Sequence, residues 1–264
     1  MKELLLALTA AAAFSGSAFA ADMAPRTYAK APAPMMAPSW TGFYIFGGAG
    51  GGLWAADSNV RTFPGAVAAS RDQRMGGSGW FGTVGISYDW QFNGRWVAGI
   101  FGDGQFGDVR GSLSDPNFTT EGREKLRISY AAGARLGYLV APNVLSYVNA
   151  GYTGSEWSGT TQTTLFAPFV AVDTTGSFHR NGWFVGGGVE NNLDLFGVSA
   201  PGWFMKTEYR SAFYDRITLP QTFAAGSGGT GPTGTALTFK PWTQTISTSL
   251  VYRFNWTGPV VAKY

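Results

Sequence analysis

Three acids, Asp103, Glu190 and Glu208, stand near basic side chains in a chain otherwise poor in charge. Paired carboxylates in unlike environments are the raw material of general acid–base catalysis. The competing reading is a charge network in which they neutralise Arg127, Arg135, Lys206, Arg210 and Arg253. The residues favour the network, because no nucleophile–base set accompanies the acids. The single histidine, His179, lies beside Arg180 with no nucleophile next to it, and one histidine excludes a multi-histidine metal centre. The absence of cysteine excludes thiolate metal sites, disulfides and a cysteine nucleophile. The stretch 47–52 has G-x-G spacing, but Leu53-Trp54 follows where a phosphate loop requires Lys-Ser/Thr. The expectation is a protein that is not an enzyme, with no catalytic, cofactor-binding or metal-binding residues and no cofactor.

The elements that must hold these charges are strands. In the run 242–254, Ile246, Thr248, Leu250, Tyr252 and Phe254 alternate with Thr245, Ser247, Ser249, Val251 and Arg253. Successive side chains of a strand point to opposite faces, so this run has one apolar and one mostly polar face. Seven further runs precede it, at 40–54, 79–90, 95–106, 125–140, 144–157, 182–193 and 203–213. In the run 125–140, Leu126, Ile128 and Tyr130 are expected on the outer face and Lys125, Arg127 and Arg135 on the inner one. In the run 203–213, Trp203, Met205, Thr207 and Tyr209 oppose Lys206, Glu208 and Arg210.

Short connections containing Asn93-Gly94 and Pro142-Asn143 alternate with long ones rich in Ser, Thr, Gly and Asp. Short turns on one side, long loops on the other and an even strand count are the marks of an outer-membrane barrel. The predicted fold is all-β, an eight-stranded antiparallel transmembrane β-barrel over 40–264. The segments 217–219 and 236–239 are read either as extensions of neighbouring strands or as an added hairpin that would make ten.

Composition agrees. Charged residues make up only 13% and aromatics 16%, against about 25% charge in a typical soluble domain. A soluble sandwich could also segregate its charges to one face. The loop alternation and the placement of aromatics near strand ends favour lipid instead. Trp90, Trp96, Trp183, Trp203, Trp242, Tyr252 and Phe254 are expected in interfacial girdles, as are Trp80, Trp157 and Trp256. Charges on the other face must then be enclosed in a narrow lumen, where Gly133, Gly186 and Gly188 leave room for long side chains. Residues 1–20 have the charged start, apolar core and Ala-x-Ala end of a secretory signal peptide. Residues 21–39, with Pro25, Pro32, Pro34 and Pro38, read as an extended periplasmic linker. No run is long enough for a membrane helix. A net charge of +3 without a basic stripe argues against nucleic acid.

The segment Trp40-Thr41-Gly42-Phe43-Tyr44-Ile45, the run 182–190, Lys206-Thr207-Glu208-Tyr209 and the ending Tyr252-Arg253-Phe254-Asn255-Trp256 carry a resemblance. The chain resembles the small outer-membrane β-barrel proteins of alphaproteobacteria, the porin-like outer-membrane immunogenic protein family. The resemblance implies residence in the cell outer membrane, a structural role and, for some members, porin-like activity or haem binding. It also implies assembly by the barrel-insertion machinery through a C-terminal aromatic, either Phe254 or Tyr264. The expected function is that of a structural or surface protein with long extracellular loops, embedded in outer-membrane lipid and lipopolysaccharide. The alternatives are a narrow porin for small solutes or ions and loop-borne binding of haem or a host surface.

Overall fold

The structure is a computed structural model and describes residues 39–115, 119–197 and 200–254. The expected signal peptide, all but the last residue of the expected linker, Trp256 and Tyr264 lie outside the described residues. Eleven strands follow one another: β1 Gly42–Thr62, β2 Gln73–Phe92, β3 Trp96–Asp115, β4 Thr120–Ala141, β5 Val144–Trp157, β6 Thr160–Thr164, β7 Ala171–Thr175, β8 Phe178–Asn192, β9 Trp203–Tyr214, β10 Ile217–Phe223 and β11 Pro232–Arg253. No helix among the described residues is long and apolar enough to cross a membrane.

These strands build eight staves. β1, β2, β3, β4, β5, β8, β9 and β11 pair in that order, and β1 closes on β11, with Tyr44 opposite Arg253 and Thr62 opposite Thr235. Above that ring, β6, β7 and β10 continue the lines of β5, β8 and β9. Through the pairings β4–β6–β7–β10–β11 they complete a second closed circuit with β1, β2 and β3. The segments 217–219 and 236–239 therefore extend neighbouring staves and add no hairpin. Closure leaves no unpaired edge, which a sheet in hydrocarbon requires.

A membrane-spanning strand needs about 9–11 residues, yet β1, β4 and β11 have 21, 22 and 22. The outward side chains show where the surplus goes. Ile45, Val84, Ile86, Ile100, Leu136, Val148, Val185, Ile246 and Leu250 form an exposed apolar belt. Beyond it, toward the longer connections, the exposed outward residues become Asp57, Arg74, Arg110, Arg123 and Lys240. The upper half of the long staves thus projects from the membrane as sheet. Much of the sequence expected as long loops is strand, because Thr-rich alternation suits a pleated, paired backbone. The tips that remain among the described residues include 63–72, 165–170 and 224–231.

Two shifts in pairing mark the top of the belt. Phe106 pairs with Ile128, but Val109 pairs with Leu126, and Leu126 in turn faces Trp157 while Ile128 faces Glu156. An extra residue reverses which face every later side chain occupies. Below the shift Phe106 points out and Ser129 in; above it Val109 and Leu126 are buried inside.

Candidate functional site: a lumen closed by charge

The lower lumen holds a ring of four charges from every second stave: Asp89 on β2, Arg135 on β4, Glu190 on β8 and Arg253 on β11. Each carboxylate meets both guanidiniums. Arg135 donates through Nε to Asp89 Oδ1 at 3.0 Å and through Nη1 to Glu190 Oε2 at 2.9 Å. Arg253 donates through Nη2 to Asp89 Oδ2 at 2.8 Å and to Glu190 Oε1 at 2.7 Å. All four side chains are at most 4% exposed, and their formal charges cancel. Aromatic faces pack against the cations: Arg135 lies 4.9 Å from the Tyr44 ring and 4.8 Å from Tyr147, and Arg253 lies 4.6 Å from Trp40. Trp40 is fully buried, its carbonyl accepts from Arg253 Nη1 at 3.1 Å, and its indole N–H donates to Pro142 O at 3.3 Å.

A second charge layer lies above. Arg210 grips Asp103 with two hydrogen bonds, at 2.9 and 2.6 Å, and donates to Glu208 Oε1 at 2.8 Å. Tyr147 Oη donates to Glu208 Oε2 at 2.8 Å, and Lys206 Nζ lies 3.8 Å from the same oxygen. Lys206 Nζ also sits 3.3 Å from the centre of the Phe46 ring. The layer's two acids and two bases again balance. Such burial is tolerable only because each charge has an opposite partner, and Arg210, Asp103 and Glu208 are hydrogen-bonded as well.

Small inner residues make the space. A Cβ on Gly99 would fall against Asp89 Oδ1, and one on Gly188 would fall 2.7 Å from Tyr147 Oη. Farther up, Trp54, Trp157 and Phe239 fill the interior with ring centres 5.2–5.7 Å apart. Both indole N–H groups are satisfied, by Val109 O at 3.2 Å and Ser155 Oγ at 2.9 Å. The cavity between these layers, beside Phe81, Gln105, Ser129 and Thr245, holds about 10 Å³, room for one water at most.

Of the charged residues expected in the lumen, Asp103, Arg135, Glu190, Lys206, Glu208, Arg210 and Arg253 lie there, and Arg127 does not. Arg127 is exposed, at the pairing shift between Leu126 and Ile128, and makes no ion pair among the described residues. The neighbouring expectations reverse with it. Leu126 is buried inside, and Lys125 meets Asp108 at 3.1 Å on the outer surface.

The aromatics Trp90, Trp96, Trp203 and Phe254 are exposed at the lower rim, where Trp203 and Tyr252 pack at 5.1 Å. Trp183 stacks on Phe213 at 4.6 Å at the upper rim, and Trp242, half-buried, lies under Arg74 at 5.8 Å. Trp157, expected with them, points inward because it follows the face of the plug. His179 is exposed, stacks on Tyr130 at 6.1 Å and bonds Asn181 Oδ1 at 2.5 Å, away from any acid pair. Asp89 was not singled out in the sequence; its position two staves from Arg135, across β3, was not visible in the spacing. The cation-facing plates Trp40, Tyr44, Phe46 and Phe184 were missed as well, since aromatics on inner faces look like any others in sequence.

No group of three or more His, Cys, Asp or Glu arranged to hold a metal occurs among the described residues. The acids of the two lumen charge layers, Asp89, Asp103, Glu190 and Glu208, are each held by a cation. No family model matches the chain. The chain is 30% identical over 219 residues to the 31 kDa outer-membrane immunogenic proteins of Brucella melitensis and Brucella suis, covering 79% of this chain and 85% of each of theirs. Among solved structures it is similar to Neisserial surface protein A, at 14% identity over 81% of this chain and 98% of that one, with a TM-score of 0.39. It is likewise similar to the outer membrane protein OprG from Pseudomonas aeruginosa, at 10% identity over 81% and 97%, with a TM-score of 0.42. The lipid-facing belt, the closed eight-stave sheet and the extent of the Brucella match agree: the chain belongs to the family of the 31 kDa outer-membrane immunogenic proteins and is a β-barrel of the outer membrane.

Proposed function

We propose that this protein is a non-conducting, non-enzymatic structural barrel that holds a rigid sheet-built surface outside the outer membrane. The observation that supports this reading is the pair of neutral charge layers across the lumen. The ring Asp89–Arg135–Glu190–Arg253 and the Asp103–Arg210 clasp leave no free ionic path. An eight-stranded barrel has an interior that side chains can fill, and these side chains are large. Extending the staves beyond the lipid carries the tips 63–72, 165–170 and 224–231 outward on a closed scaffold.

Two partners follow from the same reading. Arg74, Arg110, Arg123 and Lys240 project outward just above the belt, at the height of headgroup phosphates, which supports contact with lipopolysaccharide. Phe254, exposed at the lower rim, supports recognition by the barrel-insertion machinery.

Single-channel recording in planar bilayers tests the proposal. Purified folded protein is expected to give no steady openings, and Arg210→Ala is expected to admit brief leak currents. Steady openings of the unaltered protein, changed in size by Glu208→Gln, would replace this reading with that of a narrow porin.

A further inference from the structure

The upper ring closes on a polar layer that the barrel does not need. Asp115 on β3, Thr120 on β4, Gln162 on β6, Asp173 on β7 and Gln221 on β10 are each at most 1% exposed. Asp115 lies opposite Thr120, and Gln162 opposite Asp173, so their side chains share the inner face at neighbouring staves. The Gln221 amide donates through Nε2 to Asp115 Oδ2 at 3.1 Å and to Asp173 Oδ1 at 2.9 Å. One amide group therefore stands between two buried carboxylates.

Much of the layer's bonding capacity is unused. Asp173 Oδ2, Gln221 Oε1, Thr120 Oγ1 and both side-chain polar atoms of Gln162 are buried without a hydrogen-bond partner. Each such atom has given up its bonds to water without a replacement. The floor beneath, made by Leu113, Leu219 and Leu237, offers them nothing polar. A concentration of orphan atoms this deep requires an explanation.

The donor set says what would satisfy it. Every available ligand atom is oxygen once the amides are turned to present their carbonyls, and amide O and N exchange places by a simple half-turn. Two carboxylates, two amide oxygens and a hydroxyl make a hard-cation site, without the nitrogen or sulfur that zinc prefers. Calcium accepts 6–8 oxygens including carboxylates and amide carbonyls, whereas magnesium keeps several waters and near-octahedral geometry. Water would satisfy the hydrogen bonds but not the charge of Asp173, which makes no ion pair among the described residues. We propose that this layer is a calcium site in which Asp115 and Asp173 supply the charge and Gln162, Gln221 and Thr120 complete the oxygen shell.

Asp173 meets no cation among the described residues, and its hydrogen bond comes from the neutral Gln221 amide. A cation there would tie five strands of the projecting ring together above the membrane, where no lipid belt holds them.

Isothermal titration of calcium chloride into the full chain, refolded in detergent free of lipopolysaccharide, tests this. Wild type is expected to show one saturable site. Asp173→Asn should weaken it at least tenfold, and Gln162→Leu should weaken it as well. Asp57→Asn, which removes an exposed acid on the outer surface, should leave it unchanged. Heat-modifiable gel mobility reports that each variant is folded. If Asp173→Asn does not fold, Gln162→Leu decides. No saturable uptake by folded wild type, uptake indifferent to these two variants, or equal affinity for magnesium would overturn the assignment.

Discussion

Arg210 reaches Asp103 across the barrel from the opposite stave, meeting both carboxylate oxygens at 2.9 and 2.6 Å, although 107 residues separate the two in sequence. Between β3 and β9 lie three staves in either direction around the ring. The clasp therefore acts as a strut across the full width of the lumen. Removing one partner of a buried pair strands the other charge and costs roughly 3–5 kcal/mol. Arg210→Met is expected to lower the unfolding free energy by that order in urea titrations in lipid vesicles. Arg210→Met with Asp103→Leu should cost less than the sum of the single changes, because no unpaired charge is left at that pair.

The lower ring depends on a missing side chain at Gly99. Its missing side chain is the space Asp89 occupies, and a Cβ there would also come within 2.9 Å of Tyr88 O. Gly99→Ala is expected to displace Asp89 from Arg135 and to destabilise by about 1–3 kcal/mol. Gly102→Ala is the control: the nearest atom to its added Cβ is 3.9 Å away. The temperature at which heat-modifiable mobility is lost should fall for the first variant and stay for the second.

Alternation made the membrane-spanning part of this protein legible. Trp203, Met205, Thr207 and Tyr209 against Lys206, Glu208 and Arg210 is a period of two with a strong contrast, and the structure keeps it residue for residue. The same rule failed at Arg127 because a pairing shift depends on how β3, β4 and β5 meet, and a single strand's sequence carries no trace of its neighbours' register. The circuit through β6, β7 and β10 was hidden for another reason. Its segments are short, five to seven residues, and Thr-bearing, too brief to show a sustained apolar face, so they read as loops until their partners are in place. The charge ring combined both cases: Arg135, Glu190 and Arg253 were expected in the lumen, but the pairing of Asp89 with Arg135 and Arg253 required the closed sheet.

Arg127 gives a direct test of that register. Exposed and free of ion pairs among the described residues, it should tolerate Arg127→Gln within about 0.5 kcal/mol. Arg135→Gln, eight residues farther along β4 and inside, leaves Asp89 and Glu190 short of a cation and should cost roughly 3–5 kcal/mol. Parallel urea titrations of the two variants decide. A large loss at Arg127 would mean that the face does not reverse between Leu126 and Ile128.

The projecting ring should also carry a pH signature, through Glu124. Its side chain is buried above the lipid belt, where it accepts from Thr160 Oγ1 at 2.6 Å and from the Lys125 backbone N–H at 3.2 Å. Burial raises its carboxyl to about 7, with the hydrogen bonds from Thr160, Lys125 and Ser158 opposing the rise. A carboxyl held above its unfolded value binds its proton more tightly in the folded state. Its contribution is therefore most favourable below about pH 4.5, where both states are protonated, and is lost as pH rises toward 7. The shift corresponds to roughly 3–4 kcal/mol. Stability of wild type minus that of Glu124→Gln, measured in EDTA so that metal binding elsewhere in the ring does not enter, should decline across pH 4.5–7 and level off above it. A difference that is flat, or that grows with pH, would show that Glu124 is ionised and solvated in the folded ring.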